Sequence, residues 1–298
     1  MKFQLQSAAK VNLSLDILGQ RADGYHELAS IVHTVGIWDE IELELNRNGA
    51  ISFSCNRPEL AGDDNLCVRA VGKWNEATGD AFGAKIHLEK RIPTGAGLGG
   101  GSGNAAAMLL ALNQAAKTPL SEQKLSEVAA KLGADVPLFL RGGATLMEGI
   151  GDRLTPLSPL SGWVLVVKPD VSFATRAIYR SWDHGEFESQ KDTPLLLEIW
   201  KSADLEAIAK LTGNDLERAA AQISVLPAQL VSVLKNCGAI GAQMSGSGSA
   251  CFGLFESESA ARQAKTKLRA ELAKLVRLLN AQVFVAPFCD SGVEIARL

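Results

Sequence analysis

Glycine fills positions 95, 97, 99, 100, 101 and 103 of the stretch Ile92-Pro-Thr-Gly-Ala-Gly-Leu-Gly-Gly-Gly-Ser-Gly-Asn104. Such density gives up much backbone entropy on folding. It makes sense where backbone N–H groups must close on a ligand with no side chain in the way. Strong helix formers run from Asn104 to Lys117. The loop therefore feeds a helix N-terminus, with its positive dipole end and unpaired donors. Together these make an anion site suited to phosphates. A floppy surface linker is the bland alternative, but linkers are rarely set between a strand and an Ala-rich helix. A P-loop is excluded because no lysine lies in the stretch. Gly95-Ala-Gly97-Leu-Gly-Gly100 matches a dinucleotide fingerprint formally, yet Ile92-Pro93-Thr94 separates strand from loop and the chain runs on into another helix.

Other candidates are weaker taken alone. Lys10 and Asn12 share one face of an alternating strand at 10–17; such a pair is usually solvated. Asp135 precedes Val136-Pro137 and reads by itself as a helix cap. Tyr25 and His26 follow a turn at Arg21–Gly24 and read as packing and surface residues.

The chain that must position these residues has 298 of them, suggesting two domains. It is 47% hydrophobic and 21% charged, ordinary for a soluble protein. Net charge is −3, which gives no electrostatic reason to expect nucleic acid. Cys55, Cys67, Cys237, Cys251 and Cys289 show no metal or disulfide spacing, and the four histidines none either. No apolar run approaches the roughly 18 residues of a membrane span. The expectation is a cytoplasmic protein with no membrane partner.

Strands are expected at 40–45 and 84–89, and a second helix from Ser121 to a stop at Gly133. Pro156, Pro159 and Gly162 suggest a boundary, giving domains 1–155 and 156–298. Beyond it come a strand at Trp163–Lys168, helices at about 194–223, 227–237 and 257–279, a strand–glycine-turn–strand at 240–255 and a closing strand Gln282–Ala286. Without a regular βαβ rhythm, α+β is the expected class.

Pro-x-Gly-x-Gly-Leu-Gly-Gly-Gly-Ser-x-Asn-Ala-Ala resembles the ATP loop of the galactokinase, homoserine kinase and mevalonate kinase (GHMP) superfamily. Ala9-Lys10-Val-Asn12-Leu and Arg21-Ala-Asp23-Gly24-Tyr25-His26-Glu27-Leu28 resemble the branch acting on a cytidine diphosphate-linked methylerythritol in non-mevalonate isoprenoid synthesis. Leu132-Gly-Ala-Asp135-Val-Pro137-Leu-Phe resembles its catalytic segment, and Gln243-Met-Ser-Gly246-Ser-Gly248-Ser-Ala-Cys the superfamily's third glycine motif. Ala8, Gly103 and Asp152 depart from the usual proline, serine and glutamate.

The resemblance implies a two-domain α+β kinase with its active site in the cleft between domains. ATP and Mg²⁺ would be the cofactors, and the acceptor a 2-hydroxyl of the cytidine-bearing alcohol. It makes Lys10 and Asp135 the catalytic pair. It gives ATP to Pro93, Thr94, Gly95, Ala96, Gly97, Leu98, Gly99, Gly100, Gly101, Ser102 and Gly103, with Asn65 near the adenine. It turns Asn12, Tyr25, His26, Thr175, Tyr179 and Gly246 toward the substrate, with Tyr25 and Tyr179 on opposite faces of the cytosine. Ser102 is the candidate Mg²⁺ ligand, while Phe173 and Trp182 read as core. Another kinase of the superfamily, a nicotinamide-dependent oxidoreductase and a non-catalytic relative are the alternatives. The motif Asp23-Gly-Tyr-His-Glu speaks for a cytidine substrate, and the presence of both Lys10 and Asp135 for catalysis.

Overall fold

A computed structural model describes residues 1–190, 192–274 and 280–298. The 21-residue strand His26–Asn46 is its hub. Ile41, Leu43 and Leu45 point inward and Glu42 and Glu44 outward, the two-residue period of a half-buried strand. It pairs antiparallel with Lys2–Asn12, Ser14–Gln20, Gly83–Glu89 and Ala144–Gly149 in a nine-stranded sheet. The helices Leu66–Thr78, Gly100–Ala115 and Glu122–Ala130 bury Trp74, Leu109 and Val128 in a core shared with Phe3 and Ile41 of this sheet.

Four antiparallel strands form a second sheet in the order Gly241–Met244, Cys251–Phe255, Trp163–Lys168, Gln282–Pro287. Helices including Thr175–His184, Leu226–Asn236 and Glu258–Lys274 pack Ile178, Leu230 and Leu268 against it. A separate core joins the sheets, with Val11, Ile31 and Val35 meeting Val164 and Phe252. The fold is α+β, as expected. Antiparallel pairing throughout most of both sheets is unlike the parallel sheet a dinucleotide fold requires.

Several elements depart from the sequence expectation. The strand at 10–17 breaks at Leu13, whose N–H donates to Ile31 O at 2.7 Å. The helix expected from Asn104 begins at Gly100, inside the glycine run, and ends at Ala115. Glycine is a poor helix former, but a Cβ on Gly100 would sit 2.7 Å from Lys90 Nζ and one on Gly103 3.0 Å from Ala8 O. Close packing thus overrides propensity. The helix expected at 194–223 is three, Asp192–Trp200, Leu205–Lys210 and Leu216–Ile223, with Asp204 capping the second through Glu206 and Ala207 N–H. Positions 275–279 of the last expected helix lie outside the described residues. Gln282–Pro287 is not the closing strand: Val293–Arg297 follows and pairs with Lys2–Asn12 in the first sheet.

Candidate active site

The glycine loop hangs between two anchors. Lys10 N–H donates to Leu98 O at 2.9 Å, and Ala250 N–H to Ala96 O at 3.1 Å. Ser245 Oγ donates to Gly97 O at 2.9 Å. Gly97 has φ +75°, and a Cβ there would lie 2.0 Å from Ser245 O. A Cβ on Gly99 would meet the Phe139 ring at 2.7 Å. These two glycines are therefore demanded by the chain's approach to itself, and a valine at 97 would disturb the fold as well as any ligand. At Gly101 a Cβ would meet only Leu66 Cδ1, at 3.5 Å, so the space beyond it is open.

Two cavities flank this loop, and Gly95, Gly97 and Gly99 line both. One, of about 1020 Å³, holds Lys10, Asn12, Tyr25, His26, Asp135, Thr175, Tyr179 and Gly246. The other, of about 560 Å³, is walled by residues 59–62 and 64–66 and by the loop from Pro93 to Gly101.

Lys10 Nζ lies 3.8 Å from Asp135 Oδ2 and donates to Asn12 Oδ1 at 2.6 Å. Asn12 Nδ2 donates to Ser30 Oγ at 2.9 Å, and Gln243 Nε2 to Asn12 O at 2.5 Å. Lys10 and Asn12 are each 4% exposed, so theirs is no solvated strand face. Burial lowers the pKa of the Lys10 ammonium, and the Asp135 carboxylate opposes that shift. Asp135 stands before the short helix Val136–Arg141 but makes no capping bond with its side chain. Its carboxylate, 37% exposed, is left open to the cleft.

Gly246 covers this group. Its φ is +53°, and a Cβ would lie 3.3 Å from Asn12 Oδ1 and 3.4 Å from Lys10 Nζ. Asn214 Nδ2 donates to Met244 O and Gly246 O, both at 2.9 Å, and so fixes the turn. Thr175 Oγ1 meets Ser247 Oγ at 2.9 Å, tying the helix Thr175–His184 to the same turn.

Tyr25 is 63% exposed at the cleft. The Tyr179 ring, which also lines the cleft, stacks on His26, centroids 4.9 Å apart and planes 30° apart. His26 Nε2 is 2.6 Å from Asp183 Oδ1. Burial, with the Asp135 charge adding to it, pushes the Tyr179 phenol up to about 12. Trp182 is core as expected, whereas Phe173 packs against that core and also lines the cleft.

On the other side of the loop, Asn65 caps the helix Leu66–Thr78 by accepting from Cys67 N at 2.9 Å and donates to Leu60 O at 3.1 Å. Its amide holds the cavity wall in shape. Ser102 lies in the first turn of the helix Gly100–Ala115, half-buried, and lines neither cavity. Lys90, beneath Gly100, donates to Asp39 Oδ2 at 2.5 Å and Ile92 O at 2.8 Å. Asp39 Oδ1 accepts from Arg91 N and Ile92 N at 2.7 and 2.8 Å, clamping the chain where it enters the loop. Nothing local in the sequence marked Asp39, Lys90, Asn214 or Asp183, whose partners lie far along the chain.

Comparison with known proteins decides the family. The GHMP kinases N terminal domain matches residues 65–143, and the GHMP kinases C terminal domain residues 196–274. A 4-diphosphocytidyl-2-C-methyl-D-erythritol kinase of Citrifermentans bemidjiense is 41% identical over 92% of this chain and 95% of its own. The chain belongs to the 4-diphosphocytidyl-2-C-methyl-D-erythritol kinase family of GHMP kinases. A family member from Caldanaerobacter subterraneus subsp. tengcongensis is 36% identical over 99% of this chain and 100% of its own. A crystal structure of 4-(cytidine 5'-diphospho)-2C-methyl-D-erythritol kinase superposes with TM-score 0.79 and 33% identity, covering 96% of this chain and 99% of that one. A homoserine kinase from Cytophaga hutchinsonii shares the fold, with TM-score 0.80 at 19% identity over 99% and 97% of the two chains. Membership of a kinase family does not favour the nicotinamide alternative. Among the described residues no helix is long and apolar enough to cross a membrane, and no group of three His, Cys, Asp or Glu could hold a metal ion.

Proposed function

We propose that this chain phosphorylates the 2-hydroxyl of 4-diphosphocytidyl-2-C-methyl-D-erythritol with ATP. The observation that carries this is the open Lys10–Asp135 pair beside the glycine loop, in the same cleft as Tyr25, His26 and Tyr179. ATP lies along the loop from Pro93 to Gly103, its base in the smaller cavity bounded by Asn65 and its phosphates at the helix N-terminus. The acceptor lies in the larger cleft, its cytosine against Tyr25, His26 and Tyr179 and its alcohol toward Asn12, Thr175 and Gly246.

Phosphoryl transfer asks the protein chiefly for position and charge. Asp135 faces the acceptor hydroxyl and takes its proton as the new O–P bond forms and the bond to ADP breaks. Lys10, held by Asn12, stabilises the charge on the transferring group. A magnesium ion brought in on the nucleotide would need few protein oxygens, since Mg²⁺ is usually held by one or two protein groups plus substrate phosphates. Ser102, in the first turn of the helix Gly100–Ala115, is the residue that would hold it. Bound there, Mg²⁺ would neutralise phosphate charge.

The two sheets support a division near 155/156, at the end of the first-sheet strand Arg153–Pro156, with Gly213–Asn214 and Val293–Arg297 returning to the first sheet. Five free thiols support a reducing, cytoplasmic setting. An ADP-release assay tests the substrate, run with the cytidine alcohol against homoserine and mevalonate. Turnover of either of the latter without turnover of the former overturns the assignment.

A further inference from the structure

The large cleft carries more charge than the transfer step uses. Its wall includes Asp23, Asp135 and Asp183, and each is engaged. Asp23 accepts from Arg21 Nε at 3.2 Å and from Tyr25 N at 3.1 Å. Asp135 pairs with Lys10, and Asp183 with His26. Arg176 and Arg180 also line the cleft, and neither makes an ion pair or a side-chain hydrogen bond with any described residue. Both are exposed and stand one turn apart on the helix Thr175–His184, so they are side-by-side neighbours. Two adjacent like charges with no counter-ion destabilise a helix slightly. Their uncommitted forks suit a ligand with two anionic groups, because guanidinium matches phosphate geometry.

Their place along the cleft narrows that ligand. The cleft face of the helix reads Thr175, Arg176, Tyr179, Arg180, Asp183, spanning about 12 Å at 1.5 Å per residue. At one end Thr175 touches Ser247 beside Gly246, which covers Lys10. At the other, Tyr179 and Asp183 meet His26. Arg176 thus lies between the reacting end and the aromatic end, and Arg180 one turn on, where the aromatic end begins. We infer that Arg176 and Arg180 form a subsite for the diphosphate that links the substrate's nucleoside to its alcohol. This rests on the proposed function, because the base must occupy the aromatic end. A phosphodiester-linked diphosphate carries two negative charges, one for each guanidinium.

The probes are cytidine and cytidine 5'-diphosphate, titrated by calorimetry against the wild type, Arg176→Gln, Arg180→Gln and the double variant. The diphosphate should bind the wild type more tightly than cytidine. Each single variant should lose about 5- to 20-fold for the diphosphate and less than about twofold for cytidine, with the KM for ATP unchanged. The double variant should bind the two probes nearly alike. Equal losses for both probes would reduce the arginines to packing, and a raised KM for ATP alone would assign them to the nucleotide. Either outcome overturns the subsite while leaving the cytidine reading standing. A wild type that binds neither probe overturns both.

Discussion

Two lysine–aspartate pairs flank the glycine loop, and they are built to opposite ends. Lys90 and Asp39 are in contact at 2.5 Å, and Asp39 accepts two backbone N–H bonds besides. Both oxygens of the Asp39 carboxylate are occupied, and the Asp39 side chain is wholly buried although Lys90 borders the smaller cavity. Lys10 and Asp135 stand 3.8 Å apart, with Asp135 uncapped and open to the cleft. Burial lowers both lysines' pKa values and the paired carboxylate opposes it in each case. Burial and pairing alone therefore do not separate a structural ion pair from a working one. A carboxylate left open to a cavity does.

The sharpest break of this comparison is Asp135→Asn. Asparagine keeps the size and much of the hydrogen bonding but cannot accept the proton, so kcat should fall about 10²- to 10⁴-fold with both KM values little changed. Lys10→Ala should also cut kcat, and the double variant should be little worse than the worse single one, since groups acting as a unit are non-additive. Steady-state kinetics check this; additive losses would mean that Lys10 serves the phosphates alone, and near-normal turnover in Asp135→Asn would remove it from catalysis.

Asp39→Asn should do the reverse. Breaking a buried pair costs about 3–5 kcal/mol, so denaturant unfolding should show a loss of that size, with turnover per folded molecule preserved. A stable variant with collapsed kcat would erase the distinction between the pairs.

His33 offers a third buried base with no free valence. Leu160 N–H donates to its Nε2 at 3.1 Å, so Nδ1–H must donate to Thr34 O at 2.9 Å. Burial lowers its pKa from 6.5 to about 4. The unfolded chain then binds a proton that the folded one refuses. Stability should hold above about pH 6.5, fall as pH drops toward 4 and level off below, a loss of about 3 kcal/mol. His33→Gln should flatten that part of the curve, and an unchanged acid limb would assign it to other groups.

Tyr25→Ala carries the smallest effect, confined to the acceptor. Stacking of a base on an aromatic ring contributes about 1–3 kcal/mol, so affinity for the cytidine substrate should drop roughly 5- to 150-fold, with ATP spared. Tyr25→Phe should be nearly silent; a large loss there would point to the hydroxyl instead.

What was legible in the sequence was contiguous. The glycine loop, Lys10 with Asn12 and Asp135 lie in short motifs whose chemistry can be read locally, and the α+β class followed from the mixed periodicities. What was hidden depended on contacts across the chain. Asp39 lies 51 residues from Lys90, and His26 finds Asp183 157 residues away. The early start of the helix at Gly100 was hidden too, because close approach to Lys90 and Ile92 overrides glycine's poor propensity. The stacking of Tyr179 on His26 is tertiary in the same way.

The pairing of Phe3–Ser7 with Val293–Arg297 bears on how the protein is made. The strand Lys2–Asn12 is made nearly 300 residues before the segment Val293–Arg297 that covers its outer flank. A nascent polypeptide arrested before residue 293 exposes that flank as an unpaired edge, open to other strands. The ribosome must therefore deliver residues 293–297 before the lysine's strand is enclosed on both sides, and chaperones have a defined edge to guard until then.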